Sequence, residues 1–253
     1  MLAKERHDQI IAKLNLEGNV RVKELSQDFD VTEDCIRKDL TILEKEGKLK
    51  RIHGGATKLR ENLHYYQVDD RKNIDTPEKK IIALKAIELI EPGSMIFLDI
   101  STISLDIAKL IYQKNMNITV VTNMIEIMMI FTQECDTKLI FIGGQLNGAK
   151  DGFIGSSAID CIKKYRFDLS FLGVVGIDVF EGLVTTYDVN DGLTKKQIIH
   201  SSKKSYMLVQ SSKFDLDGNY VYADVADFTG IICEKELSNN ISMKLKEYSL
   251  EIV

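Results

Sequence analysis

The chain has 253 residues, enough for one large domain or for a small one beside a medium one. Its 44% hydrophobic and 28% charged residues exclude a disordered chain. The net charge of −5 is uneven: residues 1–60 hold 13 basic and 11 acidic side chains, and residues 37–60 hold 8 and 3, so an acidic body with one basic corner is expected, as in proteins that touch DNA through a small module.

The first sixty residues predict three short helices and a hairpin. Ile10, Ile11 and Leu14 give an apolar helical face within 3–16, closed by Gly18. A second helix over 22–29 buries Val22, Leu25 and Phe29, and Asp30-Val31 makes a turn. Thr32 is a good N-cap, with Glu33 and Asp34 in the first turn, where the helix dipole favours acids. Ile36, Leu40 and Leu43 then set one face of a third helix into the core, while Cys35, Arg37, Lys38, Thr41 and Lys45 lie opposite, and Gly47 stops it. The segment LKRIHGGATKL predicts two strands joined by a Gly54-Gly55 turn, a wing. Two helices across a short turn, the second with a polar, basic outer face, make a helix-turn-helix that fits the major groove. On this reading Thr32, Cys35, Arg37, Lys38 and Thr41 face the bases, and Lys50, Arg51 and His53 face the backbone. A plain three-helix bundle with a solvated charged face is the alternative at this level.

Residues 61–76 lack periodicity and are expected to be a linker. From 77 onwards apolar strands, at 95–99, 118–122, 138–142, 168–173, 206–210, 230–233 and 250–253, alternate with helical patterns at 78–90, 103–113, 124–133, 156–164, 190–202 and 238–248. That alternation predicts an α/β domain over 77–253, an open and mostly parallel sheet covered on both faces. Ligands of such sheets bind beyond the carboxyl ends of the strands. The residues there are polar: Asp99, Ser101 and Thr102 opening a helix, Thr122-Asn123, Gly143-Gly144, and Ser211-Ser212-Lys213. Hydroxyls, amides, a helix N-terminus and one lysine at one edge suit a phosphorylated polyol. Singly, each of these residues is an ordinary cap or turn.

Cys35, Cys135, Cys161 and Cys233 are scattered and predict reduced thiols, with neither a disulfide framework nor a metal site. The N-terminal MLAKERHDQII is charged too early for a signal peptide. The most apolar stretch, 124–131, is interrupted by Glu126 and too short to cross a membrane. A cytoplasmic protein without a cofactor is expected.

The segment KERHDQIIAKL…GNVRVKELSQDFDVTEDCIRKDLTILEKEGKLKRIHGGA closely resembles the helix-turn-helix of the DeoR family of repressors. Cys35 stands where that family usually has threonine and Lys38 where it has arginine, changes that bear on the operator sequence. Phe97-Leu98-Asp99, Thr102, Val121-Thr122-Asn123, Gly143-Gly144, Asp168, Gly173, Gly176-Ile177, Gly182-Leu183 with Thr185-Thr186, and Ser211-Ser212-Lys213-Phe214 resemble the family's effector domain, which shares its fold with ribose-5-phosphate isomerase. The resemblance implies a repressor of carbohydrate metabolism with an operator-binding domain at 1–60. It also implies a sugar-phosphate pocket lined by Asp99, Thr102, Asn123 and Lys213, with Lys213 facing the phosphate. Ser101, Ile103 and Gln210 depart from that pattern, replacing a glycine, a threonine and an aspartate. Reading two operator half-sites requires a homo-oligomer. The competing reading is a sugar-phosphate isomerase with an appended DNA module, for which Asp178, Asp188 or Asp191 would be the base.

Overall fold

The computed structural model describes residues 2–59, 76–132 and 134–253. The linker expected at 61–76 lies outside the described residues except for Thr76. The chain divides into two compact units, Met1–Glu61 and Asn62–Val253.

The first unit runs α1 (Ala3–Glu17), β1 (Asn19–Arg21), α2 (Val22–Asp28), α3 (Glu33–Lys45), β2 (Lys50–Ile52) and β3 (Gly55–Thr57). Ile10, Leu14, Leu25, Ile36, Leu40 and Leu43 are the centre of its core, as their helical spacing requires. Thr32 caps α3, its hydroxyl accepting from the Cys35 N–H at 3.3 Å. At the other end Gly47, at φ +66°, turns the chain so that the Lys48 N–H reaches the Leu43 carbonyl at 2.9 Å. The wing differs from expectation in two ways. Its turn is His53-Gly54, with Gly54 at φ +77°, whereas Gly55 already belongs to β3 and pairs with Ile52. The sheet also has a third strand, because β1 pairs antiparallel with β3 in the order β1-β3-β2. A Cβ on Gly55 would overlap the Val20 carbonyl, so glycine there serves close strand approach and not the turn.

The second unit begins with α4 (Pro77–Glu88), β4 (Met95–Leu98), α5 (Thr102–Gln113), β5 (Thr119–Thr122), α6 (Ile125–Ile130) and β6 (Lys138–Phe141). It continues with β7 (Gln145–Leu146), β8 (Phe153–Ile154), α7 (Ser156–Ile162), β9 (Phe167–Gly173), β10 (Gly176–Asp178), β11 (Leu183–Thr186), α8 (Val189–His200) and β12 (Ser202–Val209). It closes with β13 (Tyr220–Asp224), β14 (Gly230–Cys233), α9 (Asn239–Glu247) and β15 (Glu251–Ile252). Seven strands form one sheet in the order β15-β14-β12-β9-β4-β5-β6, and every pairing in it is parallel. These are the seven strands expected from the sequence, within a few residues at each end. Successive residues point to opposite faces. Phe97, Val121, Leu172, Met207 and Ile231 enter one core with α7, α8 and α9. Ile96, Leu98, Val120, Phe171, Tyr206 and Ile232 enter the other with α4, α5 and α6. The helix expected over 124–133 is shorter, because the Phe131 N–H turns back to the Met128 carbonyl and closes it.

The sequence reading missed a second, antiparallel sheet of β10, β11 and β13, and a two-stranded β7-β8 ribbon. In β13 the register skips one residue: Ala223 faces Val184 and Val221 faces Thr185, which leaves Tyr222 as a bulge.

Candidate DNA-reading face and ligand site

In the first unit, α3 presents Lys38 and Arg37 to solvent, while Cys35 and Thr41 are half-buried. Arg37 is tied along its own helix, to Glu33 at 2.6 Å and Asp34 at 2.7 Å. These pairs are exposed and so weakly held; the guanidinium can leave them for a stronger acceptor. Thr41 is committed on both sides: its hydroxyl donates to the Arg37 carbonyl at 2.8 Å and accepts from the Arg51 guanidinium at 2.9 Å. The Arg51 N–H meanwhile donates to Glu44 at 2.8 Å, so the wing is tethered to α3. Lys50 and His53 are exposed on the wing, and Thr32 is the cap already described. Asp34, Arg37, Lys38, Thr41 and Ile42 line one open depression on this face.

Beneath α3 lies a buried cluster that joins it to α1. Arg6 of α1 donates to Asp39 through Nε at 2.6 Å and Nη2 at 3.1 Å, and His7 Nε2 lies 2.9 Å from the same carboxylate. Burial pushes the Asp39 pKa up, but the bonds from Arg6 and His7 outweigh it and hold the carboxyl below its ordinary range. The fork fixes α1 against α3 where apolar packing alone would leave the angle loose.

In the second unit, the expected residues fall at the carboxyl ends of the parallel strands. Asp99, immediately after β4, is buried and accepts from the Gly173 N–H at 2.9 Å and the Ser104 hydroxyl at 2.8 Å. Ser101 caps α5, accepting from the Ser104 N–H at 3.0 Å, with Thr102 as the first helical residue. Asn123, after β5, is 2% exposed; its amide nitrogen donates to the Phe153 carbonyl at 2.8 Å. Its amide oxygen has no hydrogen-bond partner among the described residues. Thr122 is internally committed, donating to the Leu98 carbonyl at 2.7 Å and accepting from the Met124 N–H at 3.1 Å. Gly143 and Gly144 lie in an exposed loop after β6. Lys213 is half-buried in a short 3₁₀ turn, Ser211–Asp215. The N–H at the head of that turn is already taken, since Glu234 accepts from Ser211 at 2.9 and 3.1 Å. An anion at this strand end must use side chains or displace Glu234.

The cation against Asp99 comes from elsewhere. Lys195 of α8 is buried, pairs with Asp99, and donates to the Gly173 carbonyl at 3.1 Å. Burial disfavours its charged form, but Asp191 and Asp99 outweigh that and raise its pKa above the ordinary lysine value. Asp191, one turn earlier on α8, accepts from the Thr186 hydroxyl at 2.7 Å, and burial raises its pKa against the pull of Lys195. Tyr222 completes the group at 3% exposure, its hydroxyl unpartnered among the described residues. The sequence did carry a signal for Lys195: it sits on the buried stripe of α8 with Gly192, Ile198 and Ile199, where a lysine needs a partner. Asp178 and Asp188 serve the backbone, at the turn to Phe180 and Glu181 and as the α8 cap. Asp168 likewise holds the Met95 N–H at 2.9 Å and Lys203 at 2.7 Å, at the opposite end of its strand from the carboxyl edge of the sheet. Among the described residues no cluster of His, Cys, Asp or Glu could hold a metal ion, and no helix is long and apolar enough to cross a membrane.

Comparison with known proteins covers both units. Residues 6–62 match the DeoR-like helix-turn-helix domain and residues 74–235 the DeoR C terminal sensor domain. The chain is 34% identical to the HTH-type transcriptional regulator FruR of Bacillus subtilis, over 93% of each chain. It is 33% identical to the glycerol-3-phosphate regulon repressor of Escherichia coli K12, over 83% of this chain and 82% of that one. To the lactose phosphotransferase system repressor of Lactococcus lactis it is 30% identical, over 85% and 84%. Among solved structures, ribose 5-phosphate isomerase A from Methanocaldococcus jannaschii aligns with a TM-score of 0.39 at 16% identity, over 53% of this chain and about half, 52%, of that one.

Proposed function

The chain belongs to the DeoR family of transcription regulators, a DNA-binding helix-turn-helix joined to a sensor domain, and on that premise we propose how its parts divide the work. Residues 1–60 bind the operator, 61–76 link, and 77–253 sense. Arg37 and Lys38 read base edges, joined by Thr41 once the Arg51 guanidinium leaves its hydroxyl for the phosphate backbone. Thr32 and Cys35 lie on the same side, and Lys50, Arg51 and His53 hold that backbone. The protein works as a cytoplasmic homo-oligomer that represses a carbohydrate operon until a sugar phosphate releases it. Relatives named for a glycerol-3-phosphate regulon and a lactose phosphotransferase system support that effector class.

The observation that carries the sensor reading is the buried Asp99–Lys195 pair at the carboxyl edge of the sheet, with the unpartnered amide oxygen of Asn123 one strand away. A buried acceptor without a donor is costly, and a ligand hydroxyl would satisfy it. Ser101, Thr102 and the N-terminus of α5 take the phosphate together with Lys213, and Gly143-Gly144 leave room at the rim. Calorimetric titration of sugar phosphates into wild type and Lys213→Ala tests this. A charge-assisted contact of roughly 1.5–3 kcal/mol predicts at least about tenfold weaker binding, with operator affinity unchanged when no effector is present. Equal affinities would remove Lys213 from the phosphate site. No turnover of aldose or ketose phosphates is expected; turnover abolished by Asp191→Asn would favour the isomerase reading.

A further inference from the structure

Building on the sensor reading, we propose that Tyr222 is a specificity-determining residue of the effector site, donating its phenol proton to an oxygen on the uncharged, polyol end of the ligand.

Three independent features lead to this. The first is backbone geometry. A regular β13 would alternate its side chains between two faces, but the skipped register between Val221 and Ala223 re-aims Tyr222. Val221 is left 48% exposed, whereas Tyr222 and Ala223 are both buried. Bulges that redirect one side chain are common beside binding sites.

The second is an unfilled hydrogen bond. Buried phenols ordinarily find a partner, yet the Tyr222 hydroxyl has none among the described residues. Tyr206, in β12 of the seven-stranded sheet, is a useful contrast: its Oη donates to Glu251 at 2.6 Å. Packing around Tyr222 is close as well, since a Cβ on Gly192 of α8 would come within 3.0 Å of the Tyr222 Cβ. The base of the Tyr222 side chain is therefore packed against α8, while its buried hydroxyl is left without a partner among the described residues.

The third is the company it keeps. Asp191 and Lys195 flank Gly192 on α8, and Lys195 carries the contact on to Asp99. Burial, with Asp99 and Asp191 nearby, keeps the phenol protonated well above its ordinary range, against the opposing effect of Lys195. It is thus a donor at neutral pH. Two carboxylates and one ammonium give this corner no surplus of positive charge, so it is suited to hydroxyls and not to the phosphate. Continuity with Asn123 runs through the Phe153 carbonyl that Asn123 holds, and through the Gly155 N–H, which donates to Thr194, the residue before Lys195. Tyr222 offers a proton and Asn123 offers an acceptor; a sugar with neighbouring hydroxyls answers both.

The test compares the full chain with Tyr222→Phe. Glucose 6-phosphate, fructose 6-phosphate, glycerol 3-phosphate and inorganic phosphate are titrated by calorimetry, followed by monodeoxy analogues of whichever sugar phosphate binds. Tyr222→Phe should weaken the sugar phosphate tenfold or more, leave inorganic phosphate and operator binding unchanged, and melt no lower than wild type without ligand. One deoxy analogue should lose affinity for wild type but not for the variant, which identifies the hydroxyl that is read. Equal affinity of the two proteins for the binding sugar phosphate, or a ligand-free melting point several degrees lower in the variant, overturns the role of Tyr222 alone. If wild type binds no sugar phosphate in the panel, the effector reading fails and the proposal with it.

Discussion

At the scale of single residues, charge pairs do more than fill surfaces. Arg6 and Asp39 are both nearly inaccessible, and removing Arg6 leaves the buried carboxylate with His7 alone, at a cost toward the lower end of the about 3–5 kcal/mol of a broken buried pair. Arg6→Ala should therefore unfold the first unit at a lower temperature and abolish operator binding with it, as circular dichroism melts of the wild type and variant would reveal. Acid should act in the same direction. The Asp39 carboxyl titrates below its ordinary value of 3.8 when folded, so its contribution is present above that value and is lost as pH falls through the lower, folded one. Melting temperatures should decline below about pH 4, and less steeply in Asp39→Asn, which starts lower. Arg37 stands apart from this frame. Its exposed pairs with Glu33 and Asp34 are easily given up, so Arg37→Ala should spare stability but cost about 1–3 kcal/mol at the cognate operator and relax base preference there. Lys50→Ala should weaken all sequences alike and lower the salt slope by about 1. Operator titrations at several salt concentrations distinguish the two.

At the scale of elements, what could be read from the sequence follows the physics of periodicity. The seven strands of the parallel sheet and their intervening helices were legible because most are short apolar runs between turn residues, as in 206–210 and 230–233. The β10-β11-β13 sheet was not, because its strands are short, lack a regular polar–apolar alternation, and are bounded by the glycines and aspartates that mark turns. β1 was hidden in the same way: three residues between two helices read as a connection, and only pairing with β3 makes them a strand. The proposed ligand site divides along the same line. Asp99, Ser101, Thr102 and Asn123 were legible because they follow strands directly. Lys195, Asp191 and Tyr222 come from a helix and a bulge. The apolar stripe of α8 marks Lys195 as a residue that needs a partner and Asp191 stood only as a candidate base, but no local pattern ties either of them, or Tyr222, to Asp99. Thr122 shows the converse, a landmark whose hydroxyl holds the backbone. Gly55 makes an element-scale test: Gly55→Ala should break the β1–β3 pairing and weaken operator binding, whereas Gly54→Asn, which tolerates a positive φ, should be mild.

At the scale of the whole molecule, a repressor of this kind holds two equilibria in one chain, operator and effector, and couples them. Coupling is reciprocal and is measured as a change in affinity. The most direct measurement is operator binding by fluorescence anisotropy, using the full chain and Lys195→Met, with and without each sugar phosphate that raises the wild-type melting point. Wild type should bind the operator at least tenfold more weakly once its effector is saturating. Lys195→Met, which melts lower because Asp99 loses its partner and is assayed well below that melting point, should still bind the operator and fail to respond. If a sugar phosphate binds wild type tightly yet leaves operator affinity unchanged, or if Lys195→Met responds as wild type does, the carboxyl edge of the sheet is not the sensor.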